Sequence, residues 1–300
     1  MQSKNNMKIG IIGLGLIGGS LAKVLAASGY RVFGVAHSDA TLTKALELDI
    51  FEKVTQSIES LNGCSIIFVA VPINKIEIIF RQIEDSIKSP CIVTDVASIK
   101  ADVTALADKV FDPARICFIP GHPMAGTEHK GIDASFVELF KGARWVICPR
   151  DPKRKAQLDL LTSVIQETGA HIVFCNPETH DMAVALISHM PLLVSMGLIE
   201  TINVEEDIVL KENAYFLAAS GFRDSTRIAG GNAELSYDML MYNKENVIKA
   251  LEIYQNSLAQ LKELLNKDKE TIISKFEEIS EIRQKLYSET GANIFRGLFG

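Results

Sequence analysis

Six residues near the amino terminus, Gly13-Leu14-Gly15-Leu16-Ile17-Gly18, constrain the fold more than any other stretch of the chain. They follow without a gap on Lys8-Ile9-Gly10-Ile11-Ile12, an apolar run that reads as a buried strand. They lead into Ser20-Leu21-Ala22-Lys23-Val24-Leu25-Ala26-Ala27, whose apolar spacing is that of a helix face. Between a strand and a helix, Gly-x-Gly-x-x-Gly does three things: Gly13 permits the tight turn, Gly15 lets the backbone approach a pyrophosphate, and Gly18 lets helix and strand lie close. The first-turn N–H groups around Leu16, Ile17 and Gly18 lack partners inside the helix and suit phosphate oxygens. With a second strand at Arg31–Val35, the pattern predicts a dinucleotide-binding βαβ unit.

Further strand candidates are Ser65–Val71, Cys91–Asp95, Arg115–Ile119, Trp145–Cys148 and His171–Phe174. Several are unbroken β-branched runs, as expected when helices cover both faces of a parallel sheet. After Asn176-Pro177-Glu178 the strand signal nearly vanishes, and Glu245–Tyr254 and Leu258–Leu265 repeat apolar residues three and four apart. The fold class expected is α/β: a Rossmann-type, doubly wound, mostly parallel sheet over residues 1–176, followed by an all-helical domain over 177–300 that binds substrate and forms a homodimer.

Composition narrows the function classes. A formal charge of −6 and no basic stripe interleaved with aromatics argue against nucleic acid. The longest apolar stretches read as strand-length, broken by Gly, Pro or charge, and the residues before Met7 lack a signal-peptide core. A cytoplasmic protein without membrane contact is expected. Cys64, Cys91, Cys117, Cys148 and Cys175 are widely spaced and odd in number, which suits reduced thiols rather than a disulfide framework or a metal site.

Far downstream of the glycine loop lies Ile119-Pro120-Gly121-His122-Pro123-Met124-Ala125-Gly126-Thr127-Glu128. Glycine and proline on both sides predict a loop that presents His122 at a strand's carboxyl end, where open parallel sheets bind ligands. An imidazole there can take a proton while a nicotinamide takes a hydride; the alternative is an ordinary loop histidine with a satisfied ring.

The glycine loop, Gly121–Thr127 and Ser220-Gly221-Phe222-Arg223-Asp224-Ser225-Thr226-Arg227 together resemble the prephenate/arogenate dehydrogenase family of tyrosine biosynthesis. Thr94-Asp95-Val96-Ala97-Ser98-Ile99-Lys100 and Ile187-Ser188-His189-Met190-Pro191 fit it too, so the resemblance covers nearly the whole chain. It implies NAD(P)-dependent oxidation of the ring hydroxyl of prephenate or arogenate, after which the ring loses carbon dioxide and becomes aromatic. It also implies His122 as the base and Ser98 as a hydroxyl that orients it, with a helix cap as the alternative role for Ser98. Arg227 is implied as the carboxylate ligand. Arg223 either assists it or pairs with Asp224, His189 either faces the substrate or is a core histidine, and Thr127 and Glu128 line or gate the substrate end.

Cofactor choice turns on the end of the second strand. Ala36 stands where an acid would bind the ribose of NAD, and His37 and Ser38 can contact a phosphate, so NADP is favoured over NAD. Asp39 is either a ribose ligand or, with Ser38, part of a helix start. Rival readings are a β-hydroxyacid-type NAD(P)-dependent dehydrogenase, which uses a catalytic lysine in its helical half, and a nucleotide-sensing binding protein without turnover.

Overall fold

The computed structural model describes residues 4–127 and 129–287, so Glu128 lies outside the described residues. Lys8–Ile12 (β1), Arg31–Val35 (β2), Lys53–Thr55 (β3), Ile66–Val69 (β4), Cys91–Asp95 (β5) and Ile116–Phe118 (β6) form one six-stranded sheet in the order β3-β2-β1-β4-β5-β6. Every pairing in it is parallel. The order reverses between β1 and β4, and ligands of open α/β sheets bind in the crevice at such a switch point.

Side chains alternate across this sheet. Ile66 and Phe68 of β4 enter one apolar layer with Ile9, Ile11, Leu21 and Leu25, while Ile67 and Val69 enter the opposite layer with Phe80, Ile83 and Val103. Leu16–Ala27 (α1), Asp39–Glu47 (α2) and Lys155–Gln166 (α5) supply the first layer, whereas Ile76–Ser86 (α3) and Ala101–Val110 (α4) supply the second. All four residues of β4 are buried, so its sequence shows no polar alternation.

The strand β3 has no counterpart in the sequence reading; three residues with a single buried side chain, Val54, carry too little pattern. A larger difference concerns His122. Gly121–Pro123 (β7) is a short strand rather than a loop, pairing antiparallel to Arg144–Ile147 (β8) with His122 opposite Val146. Proline is tolerated at this edge, and the glycine suits the tight space: a Cβ on Gly121 would lie 3.0 Å from Thr94 Oγ1 and 3.1 Å from both Asp95 O and Trp145 Nε1. The strand β8 also pairs parallel to His171–Phe174 (β9), so these segments form a second, three-stranded sheet instead of extending the first.

Beyond β9 all described elements are helical. Pro177–Val184 (α6), a π-helical turn Ala185–His189 and Met190–Asn203 (α7) run on as one 27-residue apolar stretch. This corrects the expectation that no apolar stretch exceeds strand length: an 18-residue window within it has a mean hydropathy of 2.0, enough by length and composition to cross a membrane. The wide turn has a local cause. Pro191 has no N–H to give to the carbonyl four residues back, and its ring would crowd that carbonyl, so the turn before it opens. Ile208–Leu217 (α8), Ser220–Thr226 (α9) and Ala233–Met241 (α10) follow.

The chain divides into two compact units, one up to Val247 and one from Ile248 onward. Lys244–Leu264 (α11) runs into the second unit, which also contains Lys269–Tyr287 (α12).

Candidate active site

A cavity of about 710 Å³ opens at the switch point of the sheet. It is lined by Gly15, Leu16 and Ile17 at the start of α1, by Ser98, His122, Pro123 and Thr127, and by Ile187, Ser188, Pro191 and Leu192. Gly13 has φ +91°, and a Cβ there would lie 2.4 Å from the Ala70 carbonyl. A Cβ on Gly18 would lie 1.9 Å from the Gly13 carbonyl. Around Gly15, by contrast, nothing lies within 4 Å of the Cβ position, so the backbone is bare toward the cavity. Open space over a helix N-terminus suits a pyrophosphate, and in this respect the residues fit a dinucleotide.

His122 is partly buried and borders the cavity. Its Nδ1 lies 2.9 Å from His180 Nε2, and His180 Nδ1 lies 2.7 Å from Asp181 Oδ1. Asp181 is buried and also accepts the backbone N–H of Lys100 at 2.7 Å and of Ala101 at 2.8 Å. These bonds fix the tautomers. A carboxylate can only accept, so His180 carries a proton on Nδ1; in the singly protonated ring its Nε2 then accepts from His122 Nδ1–H. The Nε2 of His122 is left with a free lone pair. Burial, then the Lys100 cation, His180 and His189, hold the His122 imidazolium well below its usual range, so the ring is neutral and able to accept a proton.

Neither His180 nor Asp181 was singled out from the sequence. The signal in the sequence is an adjacent His-Asp pair just before a long apolar run, and the structure buries both members against the usual trend for such residues. Asp181 also displaces one role considered for Ser98. The helix α4 is capped from outside by Asp181, while Ser98 borders the cavity and makes no side-chain hydrogen bond among the described residues. Thr127 borders the cavity as well, its Oγ1 accepting the His129 N–H at 3.2 Å.

Other expected site residues lie elsewhere. His189 is buried with its Nδ1 3.1 Å from Asn243 Nδ2, and its ring is held neutral with a pKa of about 4, mainly by burial. Its neighbour Ser188 borders the cavity. Arg223 forms an exposed pair with Asp224 at 3.0 Å. Arg227 is exposed and does not border the cavity, though the adjacent Ile228 does. Besides His122, the basic side chains that border it are His129 and Lys130, neither of which the sequence motifs mark.

At the end of β2, Ala36 is buried with its N–H on the Thr55 carbonyl, and His37 and Ser38 are exposed. Ser38 caps α2, its Oγ accepting the Thr41 N–H at 3.2 Å. Asp39 is the first helical residue and accepts a bond from Gln56 Nε2 at 2.8 Å. All five cysteines are free thiols, and burial raises Cys64 and Cys148 to about 12.

Comparison with known proteins agrees with this geometry. Residues 21–174 match the family description "Prephenate dehydrogenase, nucleotide-binding domain" and residues 176–278 match "Prephenate dehydrogenase, dimerization domain". The chain belongs to the prephenate dehydrogenase family. A curated member of that family, prephenate dehydrogenase of Bacillus subtilis, is 30% identical over 94% of this chain and 77% of its own length. The crystal structure of Synechocystis arogenate dehydrogenase superposes with a TM-score of 0.84 at 38% identity, covering 93% of this chain and 99% of that one. Prephenate dehydrogenase from A. aeolicus, solved with hydroxyphenyl propionate and NAD+, gives a TM-score of 0.85 at 28% identity and covers 93% of this chain and 98% of that one.

Proposed function

We propose that the protein oxidises the ring hydroxyl of prephenate or arogenate with a nicotinamide cofactor, as a step of tyrosine biosynthesis. The observation that carries this reading is the free Nε2 of His122, held by the His180–Asp181 relay in the same cavity that Gly15 borders. When bound, the nicotinamide supplies the hydride acceptor; Gly13, Gly15, Leu16, Ile17 and Gly18 are the residues to hold its pyrophosphate. His122 Nε2 takes the hydroxyl proton as the ring carbonyl forms, and the resulting imidazolium keeps its Nδ1–H on His180 while Asp181 balances the charge. Loss of the ring carboxylate as carbon dioxide leaves its bonding electrons in the ring, which becomes aromatic.

Ser98 is assigned to orienting the hydroxyl and imidazole, since its side chain is unengaged at the cavity wall. Arg227 is assigned to a substrate carboxylate, with Arg223 beside it and Thr127 at the substrate end. The support is the family motif and the position of Ile228, the residue after Arg227, on the cavity wall. NADP is favoured over NAD because Ala36 offers no acid and Asp39 is engaged by Gln56. His189 is assigned no contact with substrate.

The functional division is placed at 176/177, with residues 177–300 forming a homodimer. Its support is the dimerization description matched by residues 176–278 and the exposed Ile208, Val209, Phe216 and Leu217 of α8. A second copy also accounts for the apolar surface of Pro177–Asn203 without a membrane, in keeping with a cytoplasmic enzyme. The deciding experiment is a matrix of both substrates with both cofactors, reading nicotinamide reduction. No reduction in any of the four mixtures sinks the proposal and returns a binding protein without turnover.

A further inference from the structure

Lys100 and Asp95 have no exposed side-chain surface. A wholly buried ammonium is costly unless partners replace its water, and here two do. Lys100 Nζ donates to Asp95 Oδ2 and, at 2.8 Å, to the Gly121 carbonyl. Asp95 Oδ1 accepts the Gly121 N–H at 3.2 Å. The ion pair therefore grips both polar groups of the residue that precedes His122.

The same lysine also acts through its main chain. Its backbone N–H donates to Asp181 Oδ1 at 2.7 Å, and that oxygen receives His180 Nδ1, whose other ring nitrogen meets His122 Nδ1. Side chain and peptide of one residue thus reach His122 from two directions, the first holding its backbone and the second its ring. We propose that Lys100 is a positioning residue for His122, acting through the Gly121 peptide and through Asp181. The proposal rests on the reading of His122 as the base.

Charge adds to position. The charged and titratable groups that act on His122 are Lys100, His180 and His189, with Asp95 and Asp181 bonded to the first two, while His129, Lys130 and Asp238 border the same cavity. After burial, the Lys100 cation is the largest influence disfavouring the imidazolium. An uncharged side chain filling the same space would not exert that influence on the ring.

The test uses the full chain with Lys100→Met and Lys100→Met/Asp95→Asn; the double substitution removes the orphaned carboxylate and keeps the test open if the single variant does not fold. Two properties are measured: steady-state kinetics, and the titration of the His122 ring by nitrogen NMR, which needs no turnover. In the single variant the ring should titrate about one pH unit or more higher, because a repelling cation is gone and a carboxylate is left unpaired. In the double variant the titration should fall back toward the unmodified protein. Turnover should still be reduced roughly 100-fold because the Gly121 carbonyl is no longer held, with the KM for cofactor within about twofold. A folded double variant with unmodified turnover, or a single variant with an unmoved ring titration, overturns the proposal. Should His122→Asn instead keep normal turnover, the base assignment fails, and the NMR titration still reports whether Lys100 governs the ring.

Discussion

Replacing Asp181 by Asn tests the relay at its anchor. The carboxylate accepts from three donors: Oδ1 from Lys100 N–H and His180 Nδ1–H, and Oδ2 from Ala101 N–H. An amide offers one accepting oxygen and one donating nitrogen. If the nitrogen takes the Oδ2 position, it faces the Ala101 N–H and two donors collide at the start of α4. If it takes the Oδ1 position, it faces Lys100 N–H and His180 Nδ1; the latter must then accept, so His180 shifts its proton to Nε2. That proton points at His122 Nδ1, forcing His122 to carry its own proton on Nε2 and removing the lone pair that the reaction needs. Bonds to a charged acceptor contribute about 1.5–3 kcal/mol each, so losing one or two should cost roughly 2–4 kcal/mol of stability, read by denaturant unfolding. Turnover should fall roughly 10²- to 10⁴-fold, the scale of losing a general base. Measuring kcat on the folded variant at a temperature well below its midpoint separates the two effects. The loss of turnover belongs to the second orientation, so the tautomers are read alongside by nitrogen NMR: a folded Asp181→Asn protein that carries the His180 proton on Nε2 and still turns over at a near-normal kcat would falsify the tautomer argument.

Arg227→Ala should raise the substrate KM by tenfold or more and leave cofactor affinity unchanged, since truncating a carboxylate's charged partner costs about 2–5 kcal/mol when the pair is desolvated. A large effect of Lys130→Ala with none at Arg227 transfers the carboxylate to the lysine that borders the cavity. NADP should give a higher kcat/KM than NAD, and Ala36→Asp should reverse the order by adding a ribose acceptor and repelling the phosphate; NAD preference that Asp39→Ala weakens selectively would assign the ribose to Asp39. His189 binds its proton more weakly when folded, with a pKa of about 4 against an ordinary 6.5, so the stability it secures is present above about pH 6.5 and lost as pH falls toward 4. At about pH 5 the unfolded chain gains roughly 2 kcal/mol from this one histidine, and His189→Asn should flatten the fall in unfolding free energy between pH 6.5 and 5; an unchanged slope refutes the assignment.

Much of the nucleotide half is legible in the sequence because its signals are local. Gly13, Gly15 and Gly18 answer to contacts within one strand-turn-helix unit, and the runs in β1, β2, β4 and β5 report burial on both faces through composition alone. The change to helices after Pro177 is equally local, being a change of period, and His122 could be proposed as a base from its place between glycine and proline. What makes it a base is not local. The strand β7 is three residues long and exists only because β8 lies beside it, and the partner of the His122 ring comes from a helix 58 residues away. The carboxylate that caps α4 is 81 positions from the N–H it accepts. Hydrogen-bond direction, burial of Lys100 against Asp95 and the exclusion of His189 from the cavity all depend on which elements the packed sheet brings together. Periodicity cannot encode them, because a polar residue in an apolar helix reads the same whether it meets water, a ligand or another buried side chain.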